Sequence, residues 1–151
     1  MKKHRKGFKQ VEEPKAQPIA GLLLTGLAVL LVAGVATFAG PCEFHSGQDV
    51  EEASSCYWAS RALLGIGAVA AVLAIVRIFE TDEGERRGLS LGCALLGFLA
   101  AAIPGPIIAL CADPSMHCNA VMRPFVLCVG VAMGLVGAID LAKRLLSLRK
   151  R

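Results

Sequence analysis

Aromatic residues are scarce in this 151-residue chain: they make up 5% of it, with one Trp and one Tyr. Yet 55% of the residues are hydrophobic, mostly Ala, Leu, Val and Gly. A soluble domain of this size has too little interior to hide that many apolar side chains. Charge is missing as well from long stretches. The run from Pro18 to Ala39, "PIAGLLLTGLAVLLVAGVATFA", contains none. No segment alternates with period two, which excludes the strands of a membrane barrel. No C-x-x-C occurs among the six cysteines, which removes the usual thiol-exchange motif. With 55% of the chain apolar, nucleic-acid binding has no support.

What remains is four apolar runs, at about 18–39, 58–79, 88–110 and 124–146. Each approaches the roughly 20 residues that an α-helix needs to cross the hydrocarbon core. A helix satisfies its own backbone in lipid, and small residues let such helices pack closely. The expected fold is therefore all-α, a four-transmembrane-helix bundle over 18–146, with basic tails at 1–17 and 147–151. The first run is longer than the apolar core of a signal peptide, so it is read as a retained helix.

Of the 16 Lys and Arg, all but Arg61 and Arg123 lie in the two tails, the loop between runs two and three, or the last turns beside them. Basic residues stay on the cytoplasmic side. Both termini are thus expected in the cytoplasm of a multi-pass plasma-membrane protein. The stretch "CEFHSGQDVEEASSCYW" at 42–58, which holds no Lys or Arg, faces outward, as does "CADPSMHCNAVM". Arg61 and Arg123 then lie at the outer membrane interface, where long basic side chains snorkel. Arg61 is expected near Glu51 or Glu52.

Several residues break the apolar pattern. "IPGPII" interrupts run three, because Pro104 and Pro106 lack an N–H and their rings clash with the preceding turn. An unwound turn or kink is expected there. Pro18 and Pro124 stand at helix starts, where proline is tolerated. The pairs Gly88/Gly92 and Gly130/Gly134 are GxxxG patterns suited to close helix contacts. "ETDEGERR" reads as a polar turn with Gly84 breaking the helix. Asp140 shares a helix face with Lys143 and Arg144, which predicts an ion pair rather than a proton relay.

Cys93 and Cys128 lie within runs and read as small buried hydrophobes. The other four form one pair per outward loop. Their simplest pairing is Cys42–Cys56 and Cys111–Cys118 as disulfides, although four cysteines allow three connectivities. Metal binding competes for the same groups: His45, Met116, His117 and Cys118 are soft or borderline ligands suited to copper(I) or zinc. Electron transfer from thiols to a quinone is the third use. Small four-helix membrane enzymes with two outward cysteine pairs share this plan, but they rely on C-x-x-C. No cofactor is called for by any motif, and a non-enzymatic role is favoured.

"CYWASRALLGIG" at 56–67, "RRGLSLGCALLGFLAAAIP" and "CADPSMHC", in that order, resemble a bacterial family of four-helix membrane proteins known as domain of unknown function 4418. The likeness covers about residues 18–146. It singles out Cys42, Cys56, Trp58, Gly65, Gly67, Pro104, Cys111, Met116 and Cys118. Tyr57 stands where the family usually has His, and Arg61 and Leu64 where Gln and Glu are common. A metal site built on that His and Glu would be incomplete here. The resemblance implies an accessory role beside exporter-type ABC transporters. The expected function is thus a structural or accessory subunit of a membrane complex. Its partners are the lipid bilayer and a membrane-protein partner or a second copy of itself, with metal binding or thiol–quinone oxidoreduction as the alternatives.

Overall fold

The computed structural model describes residues 17–40, 55–110 and 115–149. Four helices account for most of them: α1 (Gln17–Ala36), α2 (Ser55–Phe79), α3 (Glu83–Ala102) and α4 (Arg123–Arg149). A π-helical turn, Cys118–Met122, leads into α4. The helices pack in a ring, α1 on α2 and α4, and α3 on α2 and α4.

Each helix buries one narrow stripe at the three- and four-residue spacing of a helix face. In α1 it is Leu24, Ala28, Leu31 and Val35. In α2 it runs through Cys56, Ala59, Ser60, Leu63, Gly67, Ala70, Ala74 and Arg77. Cys93 and Ala100 of α3 meet Val126, Val129 and Met133 of α4 in the same core. The other faces expose Leu22, Val29, Val72, Leu95, Leu135 and many similar side chains. A water-soluble bundle does not present that much apolar surface. By length and composition α1, α2 and α4, the last with its π turn, are each able to cross a membrane. α3 is the exception, because its first turns are charged.

The α2–α3 connection is only Glu80, Thr81 and Asp82. Glu80 Oε1 accepts from the Thr81 and Asp82 N–H groups at 2.9 and 3.1 Å, and these bonds hold its carboxyl below the usual range. Asp82 caps α3, its Oδ1 accepting from the N–H groups of Gly84 and Glu85 at 2.7 and 3.2 Å. Such a cap is worth about 1 kcal/mol. Gly84 therefore does not break the helix. It lies in the first turn of α3, and the break falls at residues 80–82 because Asp82 satisfies the opening amides.

The sequence extends the third apolar run to 110, but α3 stops at Ala102. The residue before a proline is disfavoured in a continuing helix, and the proline removes a donor. With Pro104 and Pro106 in succession, the chain unwinds into turns over residues 103–110, as the two prolines predict. At the start of α4 the physical problem is similar. Pro124 has no N–H for the carbonyl of residue 120, and the widened turn before it bonds Arg123 N–H to Cys118 O instead.

A buried charge network as the candidate functional site

Arg77 sits in the last turn of α2, and its side chain is 3% exposed. A guanidinium in an apolar bundle needs partners in fixed positions. Three helices supply room and acceptors. Its Nη2 donates to Asp140 Oδ2 of α4 at 2.7 Å. Its Nε donates to Ser90 Oγ of α3 at 2.8 Å. From α1 comes space: a Cβ on Gly21 would stand 2.9 Å from Arg77 Nη1.

Asp140 collects more than one donor. Arg144, one turn on, donates through Nε to the same Oδ2 at 3.0 Å. Ser90 has one hydroxyl proton and two acceptors in reach, Asp140 Oδ2 at 2.7 Å and the Arg86 carbonyl at 2.9 Å. The shorter, charge-assisted bond to the carboxylate is the stronger. Arg144 Nη1 continues to Glu83 Oε2 at 2.9 Å, and Arg86 lies 3.7 Å from the other oxygen of Glu83. The chain Arg77–Asp140–Arg144–Glu83 thus alternates in sign across α2, α4 and α3. It neutralises the buried Arg77 and Arg144 and the largely buried Asp140 and ends on the partly exposed Glu83, and it joins three helices.

Close contact between α3 and α4 makes these distances attainable. A Cβ on Gly97 would stand 2.5 Å from Gly134 N and 2.8 Å from Gly130 O. One on Gly137 would stand 2.9 Å from Ala94 N and from Ser90 O. So Gly130 and Gly134 of the second GxxxG pair lie in the tight contact, joined by Gly97 and Gly137. Gly88 has nothing within 4 Å of its Cβ position, and Gly92 meets only Leu73 at 3.4 Å. A Cβ on Gly67 would stand 2.6 Å from Val32 Cγ2, while one on Gly65 would meet nothing within 4 Å.

The opposite end of the bundle is held differently. His117 Nε2 donates to the Phe38 carbonyl at 2.7 Å. Phe38 meets Phe125 edge-on at 5.0 Å, and the Phe125 ring fills the place of a side chain at Gly34. Arg61 is exposed and lies over the Tyr57 ring, 5.1 Å from its centroid; Glu51 and Glu52 lie outside the described residues. Tyr57 also packs edge-on against Trp58, which is largely exposed. Pro104 is buried, and the exposed Arg123 lies against Gly105.

Cys56 and Cys118 are fully buried, at the starts of α2 and of the π turn. Cys42 and Cys111 lie outside the described residues, so neither expected disulfide falls wholly within them. Cys93 is buried, as its place in an apolar run suggests, but Cys128 is exposed: it points from the outward face of α4. Met116 and His117 are exposed while Cys118 turns inward. Among the described residues no three His, Cys, Asp or Glu side chains converge to hold a metal; His45 is not among those residues.

The sequence points to Asp140 and Arg144 as partners, and they are partners. Lys143 is exposed instead. Arg77, Ser90 and Glu83 are the members that sequence reasoning passes over. The available signal was a cation and an acid near the ends of two apolar runs, both on the side where the basic residues gather.

Fold and site together define an all-helical protein with membrane-type helices held by an internal ion network. Its sequence matches the model of a family described as a domain of unknown function, DUF4418, over residues 23–143, and the chain belongs to that family. No curated protein and no solved structure matches it.

Proposed function

We propose that this protein is a four-span bacterial plasma-membrane protein with both termini in the cytoplasm, and that it serves as a structural or accessory subunit of a membrane complex. An exporter-type ABC transporter is the first partner to test. The outward loops are closed by Cys42–Cys56 and Cys111–Cys118. The observation that carries this reading is how the interior charge is used. Arg77, Asp140 and Arg144 are engaged with one another, and Arg144 reaches the partly exposed Glu83, so that three helices are joined. A transport or relay site needs polar groups turned toward a path; these are turned toward each other. The surface offered outward is apolar helix faces, which suit lipid and neighbouring spans.

The test is purification of the tagged full chain from native membranes in mild detergent. A stoichiometric membrane-protein partner is expected. Recovery of the chain alone, at its own mass, from membranes crosslinked before extraction would sink the subunit reading. The loop pairing has its own check, peptide mapping without reduction after alkylation on lysis. Peptides joining 42 to 56 and 111 to 118 are expected. A metal retained on the protein, or a 56–111 link that changes with quinone state, would favour the metal-binding or the oxidoreductase reading instead.

A further inference from the structure

The segment that follows α3 poses a problem of depth. The uncharged part of α3, residues 88–102, spans roughly 22 Å at about 1.5 Å per residue, against about 30 Å of hydrocarbon. If α3 crosses the bilayer, something apolar must complete the crossing. Residues 103–110, "IPGPIIAL", contain no polar side chain. They are not helical, and non-helical backbone is normally excluded from lipid because its N–H groups go unsatisfied.

Here the donors are accounted for one by one. Ile103 N–H reaches Leu99 O at 3.1 Å, and Gly105 N–H reaches Ile108 O at 3.0 Å. Ile107 N–H reaches Ala102 O at 3.2 Å, and Ile108 N–H reaches Ile103 O at 3.0 Å. Pro104 and Pro106 have no N–H to satisfy. From 103 to 108 no amide proton is left over. The reversal that allows this closure is made at Gly105, whose φ of 121° is costly for any residue with a side chain. Meanwhile Pro106, Ile107 and Ala109 are exposed, continuing the apolar surface that Leu91, Leu95, Phe98 and Leu99 expose along α3. Arg123 sets the level. Its guanidinium lies against Gly105, 3.6 to 3.8 Å from the Cβ position, on an exposed side chain free to reach headgroups.

We infer that residues 103–110 are seated among the acyl chains of the outer leaflet, as a turn whose amide protons over 103–108 are satisfied within the chain and which completes the crossing begun by α3, with Arg123 at the headgroup level above it. The inference rests on the four-span reading. The partner of this surface is lipid hydrocarbon rather than another protein. Over 103–108 the turn needs no outside acceptor for its amide protons, and its exposed side chains offer no polar feature for a protein to recognise.

The chain has one Trp, so Trp58→Phe with Ile107→Trp gives a single reporter in the turn. The full-length protein is placed in phosphatidylcholine vesicles with acyl chains either plain or brominated near the carbonyl end. Bromolipid is expected to remove most of the emission, and aqueous acrylamide little of it. Strong acrylamide quenching would overturn the inference by placing the turn in water. Protection from both quenchers would overturn it too, because protein would then cover the turn. Ala109→Trp in the same background repeats the measurement if the first variant misfolds. Membrane-impermeant thiol labelling of Gly84→Cys, read on the peptide that carries residue 84, separates the two readings. Labelling from outside removes the four-span topology itself, whereas an inward residue 84 with a water-quenched turn removes this inference alone.

Discussion

The two ends of the bundle solve the same problem with opposite chemistry. At one end, α2 passes to α3 through three capped residues, and α2, α3 and α4 are joined by alternating charges around Asp140. At the other, α3 is ended by prolines, α4 is entered through a π turn, and α1 is tied down by the His117–Phe38 hydrogen bond and an aromatic pair. Between them α3 and α4 touch backbone to backbone. Charges fix relative position strongly but punish the loss of any member. Apolar and aromatic contacts degrade gradually. The charged end is therefore expected to be brittle and the cysteine end tolerant.

The sharpest way to break that contrast is Asp140→Ala. It removes the acceptor shared by Arg77, Arg144 and Ser90 and leaves Arg77 buried beside a neutral surface. Breaking one partner of a buried pair costs about 3–5 kcal/mol. The expected result is a large loss of thermal stability in detergent and reduced accumulation in the membrane. Arg77→Met combined with Asp140→Leu should recover much of the loss, because apolar residues of similar volume need no partner. Wild-type stability in Asp140→Ala would mean that the network does not hold the helices.

A step below lies the glycine contact. Gly97→Ala puts a methyl where Gly134 N and Gly130 O already stand, at 2.5 and 2.8 Å. Backbone cannot yield as a flexible side chain does, so α3 and α4 must separate. Overpacking of this kind costs typically about 1–3 kcal/mol. Separation also lengthens the Ser90–Asp140 bond, so this variant should lower the further loss caused by Ser90→Ala. A double-mutant cycle in a chemical or thermal unfolding assay reads that coupling. Strict additivity would show that the close contact and the ion network are independent.

What the sequence made legible follows from which features are local. Run length, charge distribution and the family likeness all come from composition and order, and they point to helices of membrane type. The break at Pro104 is local too. The partner of Asp140 is not: Arg144 lies one turn away on the same helix and could be read off, whereas Arg77 lies on another helix and needs the packing of three elements. The same holds for glycine. Gly130/Gly134 fits a motif, but the surface that receives the pair, Gly97, Phe98 and Ala101 on α3, follows no such spelling. Gly84 was misleading because a glycine next to an acidic cluster looks like a turn, when the Asp82 cap had already started the helix.

At the tolerant end, His117→Ala deletes the bond to the Phe38 carbonyl while leaving the Phe38–Phe125 pair in place. The carbonyl stays near the end of α1, where water can replace the imidazole. The loss should be about 1 kcal/mol, the usual net value of one hydrogen bond. Phe125→Ala, which also empties the space over Gly34, should cost more than His117→Ala. If the order is reversed, the hydrogen bond and not the ring packing holds α1 at this end.

The smallest effect is the most discriminating for the helix contacts. Gly88/Gly92 has the same GxxxG spelling as Gly130/Gly134, yet a Cβ on Gly88 meets nothing within 4 Å. Gly88→Ala therefore adds a methyl to open space on an exposed helix position and removes the flexibility of glycine. The expected change is a gain of a few tenths to about 1 kcal/mol. Gly65→Ala, equally open on α2, should behave alike. Both can be measured beside Gly97→Ala in the same unfolding assay. In the isolated protein the two sets should differ in sign. A clear loss from Gly88→Ala that grows with protein concentration would show instead that this open glycine is covered by a second copy of the chain, and that the bundle uses its first GxxxG between molecules and its second within one.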